Sequence, residues 1–110
     1  MRRYSLYDLR RGDFNVLDGT LPVGRLVNGG LHFYEPGEVS HASEERHVHT
    51  DHYEVFICLQ GGGMVEVEGV ENPFRAGDVI LIEPGESHHV RSGDDPLANL
   101  WMGALHRGGE

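Results

Sequence analysis

The stretch His47-Val48-His49-Thr50-Asp51-His52-Tyr53-Glu54 concentrates the residue types that hold metal ions. His47 and His49 are two positions apart, so on an extended strand they belong to one face, roughly 6–7 Å apart along the backbone, while Val48 belongs to the other. Two imidazoles in that arrangement converge on one ion. Glu54 offers a carboxylate at the head of an apolar run, Val55-Phe56-Ile57-Cys58-Leu59, which places the candidate ligand at the start of a buried strand. A second segment, Pro84-Gly85-Glu86-Ser87-His88-His89-Val90, adds His88 and His89, so five of the eight histidines fall in two short segments.

The elements that must position these residues read as short strands. Val55–Leu59 and Val79–Ile82 are apolar on both faces, which suits strands covered on one side by a core and on the other by a second layer or subunit. Val65 and Val67 alternate with Glu66 and Glu68, predicting a strand with one solvated face and a turn through Glu71-Asn72-Pro73. Arg75-Ala76-Gly77-Asp78, Pro84-Gly85 and Ser92-Gly93-Asp94-Asp95-Pro96 punctuate the chain, and Leu97–Leu105 forms the last strand. Upstream, residues 21–37 predict two strands around an Asn28-Gly29-Gly30 turn, and residues 38–46 a loop at the rim of the site. Residues 1–20 predict an arm or edge strand. With no amphipathic helical stretch of ten residues, the fold class is all-β, a sandwich or barrel of one domain.

Composition narrows the function. The net charge is −9, and of nine basic residues four (Arg2, Arg3, Arg10, Arg11) crowd the first eleven positions, which argues against nucleic acid as a partner. Every basic residue is arginine, so Schiff-base chemistry and a lysine-bearing phosphate loop are excluded. No apolar run approaches the ~20 residues of a membrane span. Cys58 is the only cysteine and the first residues lack the apolar core of a signal peptide, so a cytoplasmic location is expected.

Two motifs carry a family resemblance. His47, His49, Glu54 and Gly61 stand at the spacing of the first cupin motif, and Gly77, Pro84-Gly85 and His88 at that of the second. The chain resembles the small single-domain cupins over about residues 31–105. Three positions depart from the pattern: Glu83 replaces its first proline, Ser92 its asparagine, and Gly37 precedes the histidine pair four residues early. The resemblance implies a single-domain jelly-roll β-barrel over residues 31–110, preceded by an N-terminal arm or edge strands over residues 1–30. It also implies a metal site formed by His47, His49, Glu54 and His88.

Three neutral imidazoles and one carboxylate suit one divalent transition ion, Zn, Fe, Mn, Ni or Cu, and on an octahedral ion they leave two positions open. That predicts either a metal-dependent enzyme acting on a small oxygenated substrate (a dioxygenase, a sugar or keto-acid isomerase, or a lyase) or a non-catalytic module that binds a sugar or small acid. Tyr34 and His52, with Glu45 and Asp51, are the acid–base candidates apart from the ligands. His89 points away from His88 on a strand, and Glu66 and Glu68 form a solvated face. Cys58 shares parity with Glu54 and Phe56 and reads as a small core thiol. Since a small barrel has one interior, the second apolar faces of Val55–Leu59 and Val79–Ile82 need cover, and a homodimer is expected, with the N-terminal arm as the rival.

Overall fold

The computed structural model describes residues 1–8, 23–39, 47–48 and 52–106. Nine strands are present among them: β1 (Arg2–Ser5), β2 (Val23–Tyr34), β3 (His47–Val48), β4 (Tyr53–Gln60), β5 (Gly62–Val67), β6 (Val70–Arg75), β7 (Asp78–Ile82), β8 (Ser87–Ser92) and β9 (Leu97–His106). They form two antiparallel sheets, one of order β1-β7-β4-β9-β2 and one of order β3-β8-β5-β6. No helix occurs among the described residues, and none is long and apolar enough to cross a membrane.

Strand parity explains the runs that are apolar on both faces. From β4, Phe56 and Cys58 point between the sheets, joined there by Ile80 and Ile82 of β7, Val65 and Val67 of β5, Phe74 of β6 and Val90 of β8. Val55, Val79, Leu81 and Ala104 point the other way and form a second cluster on the outside of the larger sheet. Ile80 and Leu81 are adjacent and both 0% exposed, so neither face of β7 meets water; burial of that kind contributes about 1.5–3 kcal/mol per side chain. Tyr4 of β1 packs on the outer cluster, and Arg2–Ser5 pair with Leu81–Asp78 along the sheet edge. The outer face of β7 is thus covered from within the chain.

Two turns lie elsewhere than the composition suggests. The hairpin between β5 and β6 closes at Glu68-Gly69, where both residues have positive φ (50° and 80°), the geometry that matches strand twist in a two-residue loop. Asn72 and Pro73 are inside β6, and proline is tolerated there because β6 is an edge strand. Asn28-Gly29-Gly30 is not a turn either: β2 runs unbroken through it, paired with β9 from Asn28↔Gly103 to Tyr34↔Leu97. These glycines serve close approach, for a Cβ on Gly29 would lie 3.0 Å from Trp101 O and one on Gly30 3.1 Å from the Trp101 indole nitrogen. Gly61, between β4 and β5, combines a φ of 74° with a neighbouring Pro96 carbonyl that a Cβ would overlap.

Candidate metal centre

Glu54 and His88 meet between the two sheets. Glu54 opens the inward row of β4, and His88 lies on β8 opposite Val67, with exposures of 9% and 1%. The Glu54 Oε2 and His88 Nε2 atoms are 3.4 Å apart. The other ring nitrogen, Nδ1, lies 3.0 Å from the Glu86 carbonyl oxygen. A carbonyl can only accept, so Nδ1 carries a proton, and Nε2 is the ring nitrogen presented to Glu54. Phe56 packs edge-on against the imidazole with ring centroids 5.8 Å apart, fixing its plane. An imidazole nitrogen and a carboxylate oxygen brought together in a buried place suit a shared cation, either a proton or a metal ion.

The β7–β8 turn that carries His88 is itself braced. Glu86 Oε1 accepts the Glu83 N–H at 2.8 Å, closing the turn, and Arg2 of β1 lies 3.6 Å from Glu83 Oε1. The proline expected at position 83 has no N–H to give, so the glutamate there adds a bond that the family pattern lacks. Ser92, in place of asparagine, is 3% exposed; its hydroxyl donates to the Glu35 carbonyl and accepts the Glu38 N–H at 3.0 Å, tying the end of β2 to β8.

Of the remaining expected ligands, His47 lies on β3, whose backbone pairs His47↔His88 and Val48↔Ser87. Directly opposed residues of an antiparallel pair share a face. His49 lies outside the described residues, as do Glu45 and Asp51. Among the described residues no group of three or more histidine, cysteine or acidic side chains is assembled. The chemistry of the Glu54–His88 pair fits a divalent ion.

The other candidates divide by position. Tyr34 is buried in the inner cluster and stacks on His32 with centroids 4.0 Å apart. Asn28, Gly103 and Glu54 form one cross-strand row, and Tyr34 stands six residues along β2 from that row, roughly 20 Å away, so Tyr34 is not brought to Glu54 and His88. His52 is: it precedes β4, is half-buried, and its ring lies over Gly103 in the same row as Glu54. His89 points outward, with Nδ1 3.0 Å from Glu66 Oε2, so Glu66 is half-buried and not simply solvated. Cys58 is 0% exposed, and burial pushes its thiol pKa up, which keeps it protonated and inert.

A family model for the cupin domain matches residues 30–103. The chain belongs to the cupin family. Among curated proteins, an oxalate-binding protein of Thermotoga maritima is 35% identical over 46 residues, which is 42% of this cupin and 38% of that protein. The match therefore spans well under half the length of that relative. Among solved structures, one described as a predicted oxalate decarboxylase from Thermotoga maritima superposes with a TM-score of 0.66 at 23% identity, covering 94% of this cupin and 78% of that chain. A cupin 2 conserved barrel domain protein of Salinispora arenicola gives 0.59 at 28% identity, over 69% of this cupin and 60% of that chain. These likenesses establish the barrel, while the ligands and chemistry of this cupin rest on its own residues.

Asn28 escapes a reading of the sequence because Asn-Gly-Gly is a turn signature. The pairing with β9 places Asn28, Gly30 and His32 on the inner face with the buried Tyr34, while Leu31 and Phe33 are exposed on the other.

Proposed function

We propose that this cupin holds one divalent transition metal ion through His47, His49, Glu54 and His88 and uses it to bind and turn over a small oxygenated acid. The observation that carries the reading is the Glu54 Oε2–His88 Nε2 approach of 3.4 Å, with the His88 tautomer set by the Glu86 carbonyl. The register of His47 against His88 supports it. A bound ion would polarise a carbonyl or carboxylate of the ligand. The chain supplies the rest: inner-cluster side chains exclude water, and His52 over Gly103 is positioned to hold or pass a proton at the mouth. The resemblance to a protein named for oxalate binding makes a small dicarboxylate the first ligand to try. The same resemblance favours a second reading, binding without turnover. A cytoplasmic location fits a chain whose single cysteine forms no intrachain disulfide.

The test is elemental analysis of protein purified without added metal, followed by calorimetric titration of the metal-loaded protein with oxalate and an assay for its consumption. One ion per chain with oxalate bound and consumed is the expected result. Oxalate bound but intact would select the second reading, and protein that takes up no divalent ion would defeat both.

We further propose that the outer face of β2 and β9 pairs two copies of the chain. Leu31 (50%), Phe33 (64%) and Leu59 (51%) are exposed, and Leu31 extends a cross-strand row through Leu100 of β9 to Ile57 of β4. Tyr4 covers the neighbouring cluster but not these side chains. Sedimentation at micromolar concentration should give a dimer that Phe33→Glu converts to monomer; a monomeric wild-type protein would refute the pairing.

A further inference from the structure

On the inner face of the larger sheet, the row containing Glu54 continues through Gly103 of β9 to Asn28 of β2. Asn28 reaches that face through an irregularity in the strand. Leu26 pairs with Ala104 and Asn28 with Gly103, so β2 spends two steps where β9 spends one. A bulge of this kind reverses the parity of the later residues in the strand. Leu26 opposes Ala104 of the outer cluster, and without the extra residue Val27 would oppose Gly103 and face inward; with it, Asn28 does.

The side chain then crosses the sheet. A Cβ built on Gly103 would overlap Asn28 Oδ1 and lie 3.1 Å from His52 Cδ2, so the amide occupies the space a side chain at 103 would take. Neighbouring strands lie about 4.8 Å apart, which brings the amide within about one strand spacing of the backbone of Glu54. Asn28 is exposed and makes no side-chain hydrogen bond among the described residues.

We propose that Asn28 is the ligand-recognition residue of this site, its amide seated over Gly103 and donating its N–H to an oxygen of a small carboxylate ligand. The inference rests on the reading of His47, His49, Glu54 and His88 as metal ligands. A neutral donor suits this place: the chain carries a net charge of −9 and Glu54 is already in the row, so an anionic ligand needs donors that add no further negative charge. Gly103 leaves room for the amide, and because the atom a Cβ would meet first is the far end of a flexible side chain, Gly103→Ala should push the amide aside without breaking the sheet.

The experiment uses manganese-loaded full-length protein, with manganese affinity from equilibrium dialysis and oxalate affinity from calorimetry. For wild type, Asn28→Ala, Asn28→Asp, Gly103→Ala and the Asn28→Ala/Gly103→Ala pair, melting curves confirm folding. Losing a hydrogen bond to a charged ligand should lower oxalate affinity about ten- to hundredfold in Asn28→Ala and at least as much in Asn28→Asp, with manganese affinity unchanged. Gly103→Ala should reproduce the Asn28→Ala loss, and the double variant should be no worse than Asn28→Ala alone, since both remove one contact. Oxalate affinity within twofold of wild type in the Asn28 variants, or a Gly103→Ala loss that adds fully to that of Asn28→Ala, would overturn the proposal. Wild-type protein that takes up manganese but no oxalate would overturn it and leave the metal reading standing; failure to take up manganese would overturn both.

Discussion

Replacing His88 with alanine should lower divalent-metal affinity by about a hundredfold or more, and replacing Glu54 with glutamine by a similar factor. Apparent binding free energies for four-ligand zinc sites run to about 10–16 kcal/mol, so each donor carries on average about 3 kcal/mol, which is about two decades in dissociation constant. Glutamine at 54 keeps the volume and removes the charge, so its effect reports on coordination even if alanine at 88, a buried position, also loosens the barrel. His89 is the internal control. It comes directly after His88 but faces outward onto Glu66, and His89→Ala should change metal affinity by less than about twofold. Dialysis with elemental analysis measures all three. Unchanged stoichiometry and affinity in the His88 and Glu54 variants would remove the metal assignment, and a His89 effect equal to that of His88 would mean that the parity assignment is wrong.

Much of this geometry is visible before folding because strand parity is a local property. The spacing Glu54, Phe56, Cys58 places one row inward, and Val55 with Ile57 the other row outward, whatever the neighbouring strands do. The apolar character of both faces of β7 likewise announces two layers, and both layers are present. The failures arise where side-chain type alone does not specify the backbone or its partner. Glycine is one letter for two uses, positive φ in a turn and close packing under a bulky neighbour, and at Gly29 and Gly30 the neighbour is Trp101, more than seventy residues away. A bulge between Leu26 and Asn28 depends on the partner strand and leaves no mark on the local pattern. The proton on His88 Nδ1 is fixed by a backbone carbonyl, and every residue has one, so side-chain types could not reveal it.

Stability should depend on metal and pH together. An ion that binds the barrel and not the unfolded chain stabilises it by RT ln(1 + [M]/Kd), so the gap between melting curves with excess metal and with chelator measures occupancy. Imidazole ligates only when neutral and titrates in free peptides at about pH 6.5, so bound metal depresses the proton affinity of each histidine ligand in the folded state. The metal-linked stability is therefore fully present above about pH 6.5 and is lost as the pH falls below it. One unit below that value a free imidazole favours its proton about tenfold, so proton competition at three imidazole ligands weakens apparent metal affinity by up to about a thousandfold, or about 4 kcal/mol. For a domain of this size that is a shift of roughly 15–20 degrees in melting temperature, provided the metal was stabilising by at least as much at pH 8. A carboxylate adds little in this window because its reference value is about 4.3. Melting curves from pH 8 to pH 5 should show the gap closing steeply, with more than one proton taken up for each ion lost. A gap that held constant down to pH 5 would mean that carboxylates, and not His47, His49 and His88, hold the ion.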